Sequence, residues 1–284
     1  MEKYSIKLPN KDFRFLINNP NMKGTRTKKL VLDNNNAKAF FKYEGNGYLV
    51  SEACSEKMCY EIAKILGYPC AKIELAKDNN GVLGILNYLF IEIGNVEHMD
   101  AVSYLNIYNN QRPTFYTISN IKKTLDELDT KLFIDFIKIM IFDALVGEQD
   151  RHEENWGITK IGDKYKISPL YDNGDSLLRN FKDSTYAEKY YSGEKSFDSY
   201  INKSKAIIYR EDNKKQYKHF ELIKYLNDNY SDIVQKEIIN LNKLTDEVIE
   251  KTVNRIPNEL LTKKHKEYII TYLKKRRNIL LNIK

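Results

Sequence analysis

Two stretches decide how this chain folds: VGEQDRHEENWGI at residues 146–158 and ISPLYDNG at residues 167–174. They contain Asp150, then Asn155 five residues later, then Asp172 beyond a segment with the pattern of a short hairpin. Phosphoryl transfer uses three such groups. One carboxylate orients the attacking hydroxyl, while an amide oxygen and a second carboxylate hold magnesium on the nucleotide phosphates. The spacing therefore predicts Asp150, Asn155 and Asp172 as catalytic residues, with Asn155 and Asp172 as the metal ligands.

Each of these residues also has a purely structural interpretation. Asp150 can cap a short turn, and Asn155 can be an ordinary polar loop residue. The tripeptide at 172–174 is typical of an Asx-turn, although its glycine also suits a chain that turns sharply beside an ion. His152 is expected to support the loop and not to act as a base. The apolar WGI run and the second aspartate favour the catalytic interpretation over a chance spacing.

The composition is that of an ordinary folded protein. The 284 residues are 42% hydrophobic and 30% charged, with a formal net charge of +7, which allows a two-lobed domain with a sizeable core. Lysine and arginine are mixed with acidic residues, which argues against a nucleic-acid surface. No apolar run approaches the ~20 residues that a membrane span needs. Three irregularly spaced cysteines and an N-terminus unlike a signal peptide predict a cytoplasmic location.

Up to about residue 94 the pattern is that of strands around a single helix. Apolar residues recur at helical spacing from 51 to 66, and Gly67 is suited to end that helix. The turn-forming run Asp-Asn-Asn-Asn at 33–36 separates two strand-like segments. In chain order, the predicted elements are strands at 29–32 and 37–43, a helix at 51–66, and strands at 71–74 and 83–93.

Beyond residue 95 the pattern becomes helical. A broad apolar face predicts one long helix at 125–146, directly before the motif loop. Residues 180–205 are polar and without a period, which predicts a loop or a weakly structured segment. Further helices are predicted at 220–230, 233–241, 246–253 and 264–283. The sequence therefore predicts an α+β protein with a bilobal protein-kinase-like fold: a β-rich nucleotide-binding lobe at 1–94 and a helical catalytic lobe at 95–284.

A lysine and a glutamate are predicted to bind the nucleotide. Lys42 lies in an apolar strand, from which its side chain would reach phosphate oxygens, and it needs an acidic partner to hold it. The following helix offers Glu52 and Glu56, of which Glu56 lies on the core-facing side. A lysine in such a strand would otherwise be an ordinary surface residue.

Four further residues complete the predicted cofactor-binding set. Gly24 and Thr25 lie in a basic segment that could cover the phosphates with backbone N–H groups, although a basic surface turn explains that segment equally well. Ile91 and Ile93 lie at the end of the last predicted strand of the first lobe.

These residues together resemble those of the HipA-like serine/threonine kinases, especially the short, CtkA-type members. Residues 150–157 resemble the catalytic loop of that family and 167–172 its metal-binding segment. Lys42 resembles the nucleotide-binding lysine, Glu56 its partner on the helix, and residues 265–277 the closing helix of the short members. Asp175 departs from the pattern, because related sequences often have a small hydroxyl residue there.

The resemblance implies ATP- and Mg²⁺-dependent phosphorylation of serine or threonine on a protein substrate that the sequence does not identify. It also implies autophosphorylation, for which we favour the polar segment after Asp172 over the basic segment around Thr25. The chain starts almost at the kinase core, without the extra N-terminal subdomain of full-length HipA toxins, so regulation by an antitoxin is not predicted. Expected partners are ATP and the substrate, without a membrane.

Two alternatives remain open from the sequence. The string D-R-H-x-x-N also occurs in phosphatidylinositol kinases, which leaves a lipid-kinase-like or small-molecule phosphotransferase. A catalytically inactive kinase-like binding module is the second alternative, and the complete set of Lys42, Asp150, Asn155 and Asp172 argues against it.

Overall fold

A computed structural model describes residues 2–16, 28–44, 51–91, 96–105, 112–179, 181 and 184–284. The first part of the chain forms a six-stranded sheet with strand order β1-β5-β6-β4-β3-β2, in which only the β1–β5 pair is parallel. The strands are Ile6–Lys7 (β1), Phe13–Phe15 (β2), Lys28–Asp33 (β3), Lys38–Tyr43 (β4), Ile73–Lys77 (β5) and Leu83–Tyr88 (β6). The predicted strands are confirmed except at the end of the last one, because residues 89–91 are not strand.

The helix predicted in this lobe is confirmed as Glu52–Leu66 (α1). It begins at Ser51, whose hydroxyl accepts a hydrogen bond from the Cys54 N–H, and it ends at Gly67 in the left-handed conformation with φ 76°. Glycine favours this conformation because it has no Cβ. The apolar face of α1 is fully buried and connects the sheet to the main core of the molecule.

A second, three-stranded sheet contains the segment that follows Asn155. It consists of Glu97–Asp100 (β7), Gly157–Ile161 (β8) and Lys164–Ile167 (β9), in that order and all antiparallel. The hairpin predicted between Asn155 and Asp172 is therefore the β8–β9 pair. Two short helices, Ala101–Leu105 (α2) and Arg112–Phe115 (α3), follow β7.

The rest of the described chain is mainly helical. Its centre is Lys131–Val146 (α5), most of whose residues are buried. The other elements are Ile118–Leu128 (α4), Ser184–Tyr191 (α6), Phe197–Lys203 (α7), His219–Asn240 (α8), Asp246–Asn254 (α9), Lys263–Leu281 (α10), the 3₁₀ turn Leu241–Lys243, and the hairpin Lys205–Tyr209 (β10) with Gln216–Lys218 (β11). None of the helices within the described ranges is long and apolar enough to cross a membrane.

Two predictions about this region are wrong. The helix predicted at 125–146 is two helices, because Asp129 has an extended backbone that ends α4, while its carboxylate accepts the Lys131 N–H that begins α5. The segment at 180–205 contains α6 and α7. Its tyrosines supply the buried surface that its polar composition conceals: the rings of Phe181 and Tyr190 stack with centroids 5.1 Å apart, and Tyr200 packs edge-on against both.

The remaining helix predictions are confirmed with one modification. The helices predicted at 220–230 and 233–241 are the continuous α8, which is interrupted only by the non-helical backbone of Tyr230 (φ −142°, ψ 46°). The two periodic segments in the sequence therefore lie on either side of a kink.

Candidate active site

The candidate catalytic loop begins where α5 ends at Gly147. This glycine has φ 74°, and its N–H donates to the Asp143 carbonyl at 2.8 Å. A Cβ at this position would lie 1.9 Å from the hydroxyl oxygen of Tyr272 on α10. Both the positive φ and the lack of space require glycine, so the direction in which the chain leaves α5 is fixed by backbone geometry and by α10.

Asp150 and Asn155 are joined within this loop. The Asn155 side-chain Nδ2 donates to the Asp150 carbonyl at 2.8 Å, which leaves the Asn155 Oδ1 available to another ligand. The Asp150 side chain is 55% exposed, as a group that reacts with an external hydroxyl must be. His152 accepts the Glu154 N–H at Nδ1, 3.2 Å away, which agrees with the structural role expected for it.

Arg151 ties the loop to the segment that precedes Asp172. The buried guanidinium donates to the Asp143 carboxylate through Nε (3.1 Å) and Nη2 (3.0 Å), and to Asn173 Oδ1 through Nη2 (2.6 Å). Its Nη1 donates to the Asn155 carbonyl at 2.8 Å and to the Tyr171 carbonyl at 2.7 Å. Because Nη1 contacts both carbonyls, it holds Asn155 close to Tyr171, the residue before Asp172. The two predicted magnesium ligands, Asn155 and Asp172, therefore belong to segments that Arg151 holds together.

Asp172 lies beside Lys42 and Glu56. The Lys42 ammonium donates to Asp172 Oδ1 and is 4.0 Å from Glu56 Oε1. The other oxygen of the Glu56 carboxylate accepts the Asn173 N–H at 3.1 Å, so α1 is attached directly to the segment that is predicted to bind the metal. Asp172 has φ 51°, a left-handed conformation that non-glycine residues seldom adopt. The structure thus unites three residues that are far apart in the sequence.

The charges at this centre are unevenly stabilised. Burial raises the pKa of the Glu56 carboxyl, and the nearby Lys42 ammonium opposes that shift only in part. Burial alone would also raise the pKa of Asp172, but the positive charges of Lys42, Lys28 and Arg151 hold it below its ordinary value. Lys28 lies opposite Lys42 in the β3–β4 pairing, and burial together with the Lys42 charge lowers its pKa. Ionisation is therefore favoured more at Asp172 than at Glu56, and the positive charges of Lys42, Lys28 and Arg151 lie near Asp172.

Gly174 has a different role from the one predicted. Its φ does not lie in the left-handed region, so no sharp turn requires glycine at this position. A Cβ would instead lie 2.4 Å from Cγ of Glu52 on α1. The glycine allows the segment after Asp172 to pack closely against the first turn of α1.

Other predicted residues have mixed outcomes. Ile91 follows Phe90, whose ring stacks on Tyr171 with centroids 5.9 Å apart, and its role in nucleotide binding stays a prediction. The remaining predicted cofactor-binding residues, Gly24, Thr25 and Ile93, lie outside the residues that the structure describes.

The oxygen donors at this centre suit a hard divalent cation. Magnesium is usually held by one or two carboxylates, with water and substrate phosphates completing its octahedral coordination. Asp172 offers a carboxylate and Asn155 an amide oxygen, as such a site requires. Within the described ranges no group of three or more histidine, cysteine or acidic residues could enclose a metal ion by itself. A metal at this place would therefore depend on the nucleotide for part of its coordination.

Comparison with known families matches this geometry. A family model described as the HipA-like C-terminal domain matches residues 21–258. The chain belongs to this family. In sequence it is 22% identical over 174 residues to the serine/threonine-protein kinase CtkA of Helicobacter pylori (strain J99), an alignment that covers 58% of this chain and 52% of CtkA. The alignment thus spans about half the length of that curated relative.

Solved structures extend the likeness of this HipA-like chain to almost its whole length. The crystal structure of the Helicobacter pylori proinflammatory kinase CtkA matches with a TM-score of 0.76 at 19% identity, covering 90% of this chain and 92% of CtkA. HipA of Shewanella oneidensis, from a complex with HipB and operator DNA, matches with a TM-score of 0.61 at 11% identity, covering 92% of this chain and 64% of HipA. The predicted bilobal protein-kinase-like fold is confirmed, while the boundary at residue 94 stays a prediction.

Sequence reasoning missed several residues of this HipA-like site. The D-R-H string suggested a loop, but nothing in it indicated that Arg151 would be its central buried contact. Asp100 was missed as well: it accepts the Tyr171 hydroxyl at 3.1 Å and lies 3.1 Å from His98 Nε2. Burial would raise the pKa of Asp100, but these two hydrogen bonds lower it. Glu148 is the third omission, and its single signal was its position between α5 and Asp150.

Proposed function

We propose that this chain is an ATP- and Mg²⁺-dependent serine/threonine protein kinase of the HipA-like type. The observation that carries this proposal is the contact of one ammonium group, that of Lys42, with both Asp172 and Glu56. Kinases position the nucleotide phosphates with a strand lysine paired to a helix glutamate, next to an aspartate that binds the metal. The similarity to the serine/threonine-protein kinase CtkA supports the reaction class. A cytoplasmic location stays a prediction.

The residues have separate roles in the proposed reaction. Lys42, held by Glu56, binds phosphate oxygens of ATP, and Asp172 with Asn155 would hold the magnesium ion, which supplies neutralisation of phosphate charge. Asp150 accepts a hydrogen bond from the acceptor hydroxyl and takes its proton as the oxygen attacks the γ-phosphorus. The new bond joins that oxygen to phosphorus, the bond from phosphorus to the β–γ bridging oxygen breaks, and ADP leaves.

An assay of phosphate transfer tests the proposal. The purified chain is incubated with γ-labelled ATP, MgCl₂ and a panel of proteins that includes a bacterial lysate, and labelled residues are identified by mass spectrometry. We expect labelled serine or threonine, and loss of labelling by about a hundredfold or more in Asp150→Asn. Asp163→Asn is the matched control, because Asp163 is an exposed aspartate in the β8–β9 turn. Equal labelling by parent and Asp150→Asn would exclude the assigned role.

The same assay separates the alternatives. Labelling of phosphoinositides or of a small alcohol, with no protein labelled, would identify a lipid-kinase-like or small-molecule phosphotransferase. Nucleotide binding without transfer to any acceptor would identify an inactive binding module.

We also propose autophosphorylation in the segment after Asp172. Thr185 and Ser192 are exposed there, and Lys195 lies close by. A phosphate adds about −1.5 to −2 charges, which nearby lysines can stabilise through charge-assisted hydrogen bonds. Phosphosite mapping after incubation with Mg-ATP should find sites between residues 184 and 199. Sites confined to other regions, or present equally in Asp150→Asn, would refute this location.

A further inference from the structure

We propose that Glu148 is a positioning residue of this site, held in place from the C-terminal helix through His219 and Arg276. Its carboxyl group connects the loop of Asp150 to the segment that follows Asp172. The catalytic meaning of this arrangement rests on the kinase function proposed above, whereas the mechanical connection can be tested without it.

The Glu148 side chain makes two hydrogen bonds, one to each segment. Its Oε1 accepts the backbone N–H of Asp150 at 2.7 Å, and its Oε2 accepts the Ser176 hydroxyl at 2.8 Å. Only 1% of the Glu148 surface is exposed, so water cannot readily replace either contact. A single buried group therefore fixes the backbone of the proposed base relative to the metal-binding segment. These two hydrogen bonds do not involve Arg151, whose Nη1 contacts the carbonyl of Asn155 at the far end of the same loop.

His219, the first residue of α8, fixes the backbone of Glu148. Its Nε2 lies 2.7 Å from the Glu148 carbonyl oxygen and its Nδ1 lies 3.0 Å from Nη2 of Arg276. A carbonyl oxygen only accepts and a guanidinium only donates, so Nε2 must carry the proton and Nδ1 must accept. The imidazole is thus neutral, in agreement with burial and the Arg276 charge, which lower the pKa of His219 well below its ordinary value.

Arg276 supplies the last contact from α10. It is fully buried, and its described acceptors are all neutral: besides His219 they are the Ala144 and Ile201 carbonyls and the Ser204 and Tyr272 hydroxyls. A buried cation without a carboxylate partner is costly, and ordinary packing would be satisfied by an apolar residue. Its guanidinium does what an apolar residue could not, because it donates to Nδ1 and so fixes the tautomer in which Nε2 donates to Glu148. Arg276 also lies beyond residues 21–258, the range that the family model matches.

Burial favours the neutral form of the Glu148 carboxyl group. Burial raises the pKa of its carboxyl group to about 8; Asp143 and Asp175 add to that shift, and Arg151 opposes it. His219 is neutral and adds no charge. The protonated carboxyl can keep both contacts, since one oxygen still accepts the Asp150 N–H while the O–H and the Ser176 hydroxyl can each donate to the other. Glutamine has the same shape and the same hydrogen-bonding capacity, which makes it the appropriate conservative replacement.

The test compares Glu148→Ala with Glu148→Gln in two measurements. Amide hydrogen exchange of the full chain reports on the peptides that cover 147–155 and 172–178. Steady-state kinetics with Mg-ATP separate kcat from KM. The matched control is Glu237→Ala, which removes a buried carboxylate that accepts the Tyr68 hydroxyl at 2.9 Å, outside the candidate site.

We expect Glu148→Ala to raise exchange in both peptides by about tenfold or more, because the Asp150 N–H and the Ser176 hydroxyl lose a buried acceptor. It should lower kcat by about ten- to a hundredfold with a smaller effect on the KM for ATP, because misplacement of a reacting group by about 1 Å has effects of this size. Glu148→Gln should restore most of the exchange protection and of kcat. If ionisation of Glu148 changes kcat of the parent near pH 8, that change should be absent in Glu148→Gln, because glutamine does not ionise.

Two results would overturn the proposal. One is unchanged exchange in both peptides of a folded Glu148→Ala chain; the other is equal damage by glutamine and alanine. If Glu148→Ala does not fold, amide exchange is compared between His219→Gln and His219→Leu. Of these two side chains, only glutamine can still donate a hydrogen bond to the Glu148 carbonyl. Equal exchange in these two variants would then overturn it. Absence of phosphate transfer by the parent would refute the kinase function, while the exchange data would still decide the role of Glu148.

Discussion

Replacement of Arg151 by methionine should strongly destabilise this protein. The Asp143 carboxylate would remain buried after losing the two charged hydrogen bonds that it accepts from Arg151 at 3.1 and 3.0 Å. Removal of one partner from a buried ion pair typically costs about 3–5 kcal/mol. The Asn155 and Tyr171 carbonyls also lose their donor, but the loop is close enough to solvent for water to replace part of that contact. We therefore expect a loss of at least about 3 kcal/mol from a free energy of unfolding that typically totals about 5–15 kcal/mol.

The single tryptophan makes this prediction simple to measure. Trp156 is buried beside the loop, and its Nε1 donates to the Tyr116 hydroxyl, which in turn donates to the Arg151 carbonyl at 2.9 Å. Its fluorescence during urea denaturation reports the unfolding of the site. The matched control is the double variant Asp143→Leu/Arg151→Met, which replaces both charges with apolar groups. It should recover most of the lost stability, since the isolated buried carboxylate is the main cost.

The pH dependence provides an independent check on the cause. Burial raises the pKa of Asp143 and Arg151 opposes that shift, so Arg151→Met should raise the pKa further. A carboxyl group with a raised folded-state pKa favours the folded state when protonated, and stability falls as pH rises above the unfolded value of about 3.9. The variant should therefore be less stable at pH 8 than at pH 5, relative to the parent. A loss below about 1 kcal/mol at pH 8, or an identical loss at both pH values and in the double variant, would refute this explanation.

Three further predictions concern the cleft and the start of the loop. Lys42→Met should weaken binding of ADP with magnesium by about tenfold or more in calorimetry, because a charge-assisted contact to phosphate is lost; unchanged affinity would place the phosphates elsewhere. Asp172→Ala should weaken Mg-ATP far more than adenosine, and equal loss for both ligands would argue against a metal ligand. Gly147→Ala should lower the free energy of unfolding by about 2 kcal/mol or more, because alanine is strained at positive φ and its Cβ would clash with Tyr272. In the control Gly162→Ala, where φ is 58° and the Cβ would meet open space, the free energy of unfolding should fall by about 1 kcal/mol.

Local patterns were sufficient for α1, for the strands β3 to β6 and for the helices α8 to α10. The helix α1 was predictable from its periodicity and Gly67, and the β8–β9 hairpin from its apolar run. The break at Asp129 was not predictable in this way, because no glycine or proline separates α4 from α5. There the chain ends one helix and begins the next through a side-chain hydrogen bond, and the apolar face continues across the break. The helices α6 and α7 were hidden because their tyrosines, each of which carries a large ring, are interspersed with lysine, serine and acidic residues.

The candidate site was predictable in part for a similar reason. Asp150, Asn155 and Asp172 lie within 23 consecutive residues, and the chemistry of phosphoryl transfer fixes their residue types and nearly their spacing. The helical period favoured Glu56 over Glu52 because it indicates which side chain faces the core, and Glu56 Oε1 is the oxygen that lies 4.0 Å from the Lys42 ammonium. His219 and Arg276 act on the loop from elements more than 60 residues away, and no spacing rule links them to it.

Exposure distinguishes the residues that react from the residues that position them. Asp150 and Asp172 have side chains that are 55% and 39% exposed, as the proposed function requires of groups that ATP and an acceptor have to reach. Arg151 and Glu148 are almost fully buried, and between them they hold both ends of the loop. A reactive carboxylate in water cannot fix its own position, since solvent competes for every hydrogen bond that it makes. Its geometry must therefore come from buried neighbours whose hydrogen bonds are protected from water. Such neighbours can be of several residue types as long as they connect the same backbone atoms, which is why the exposed aspartates were recognisable in the sequence and the buried Glu148 was not.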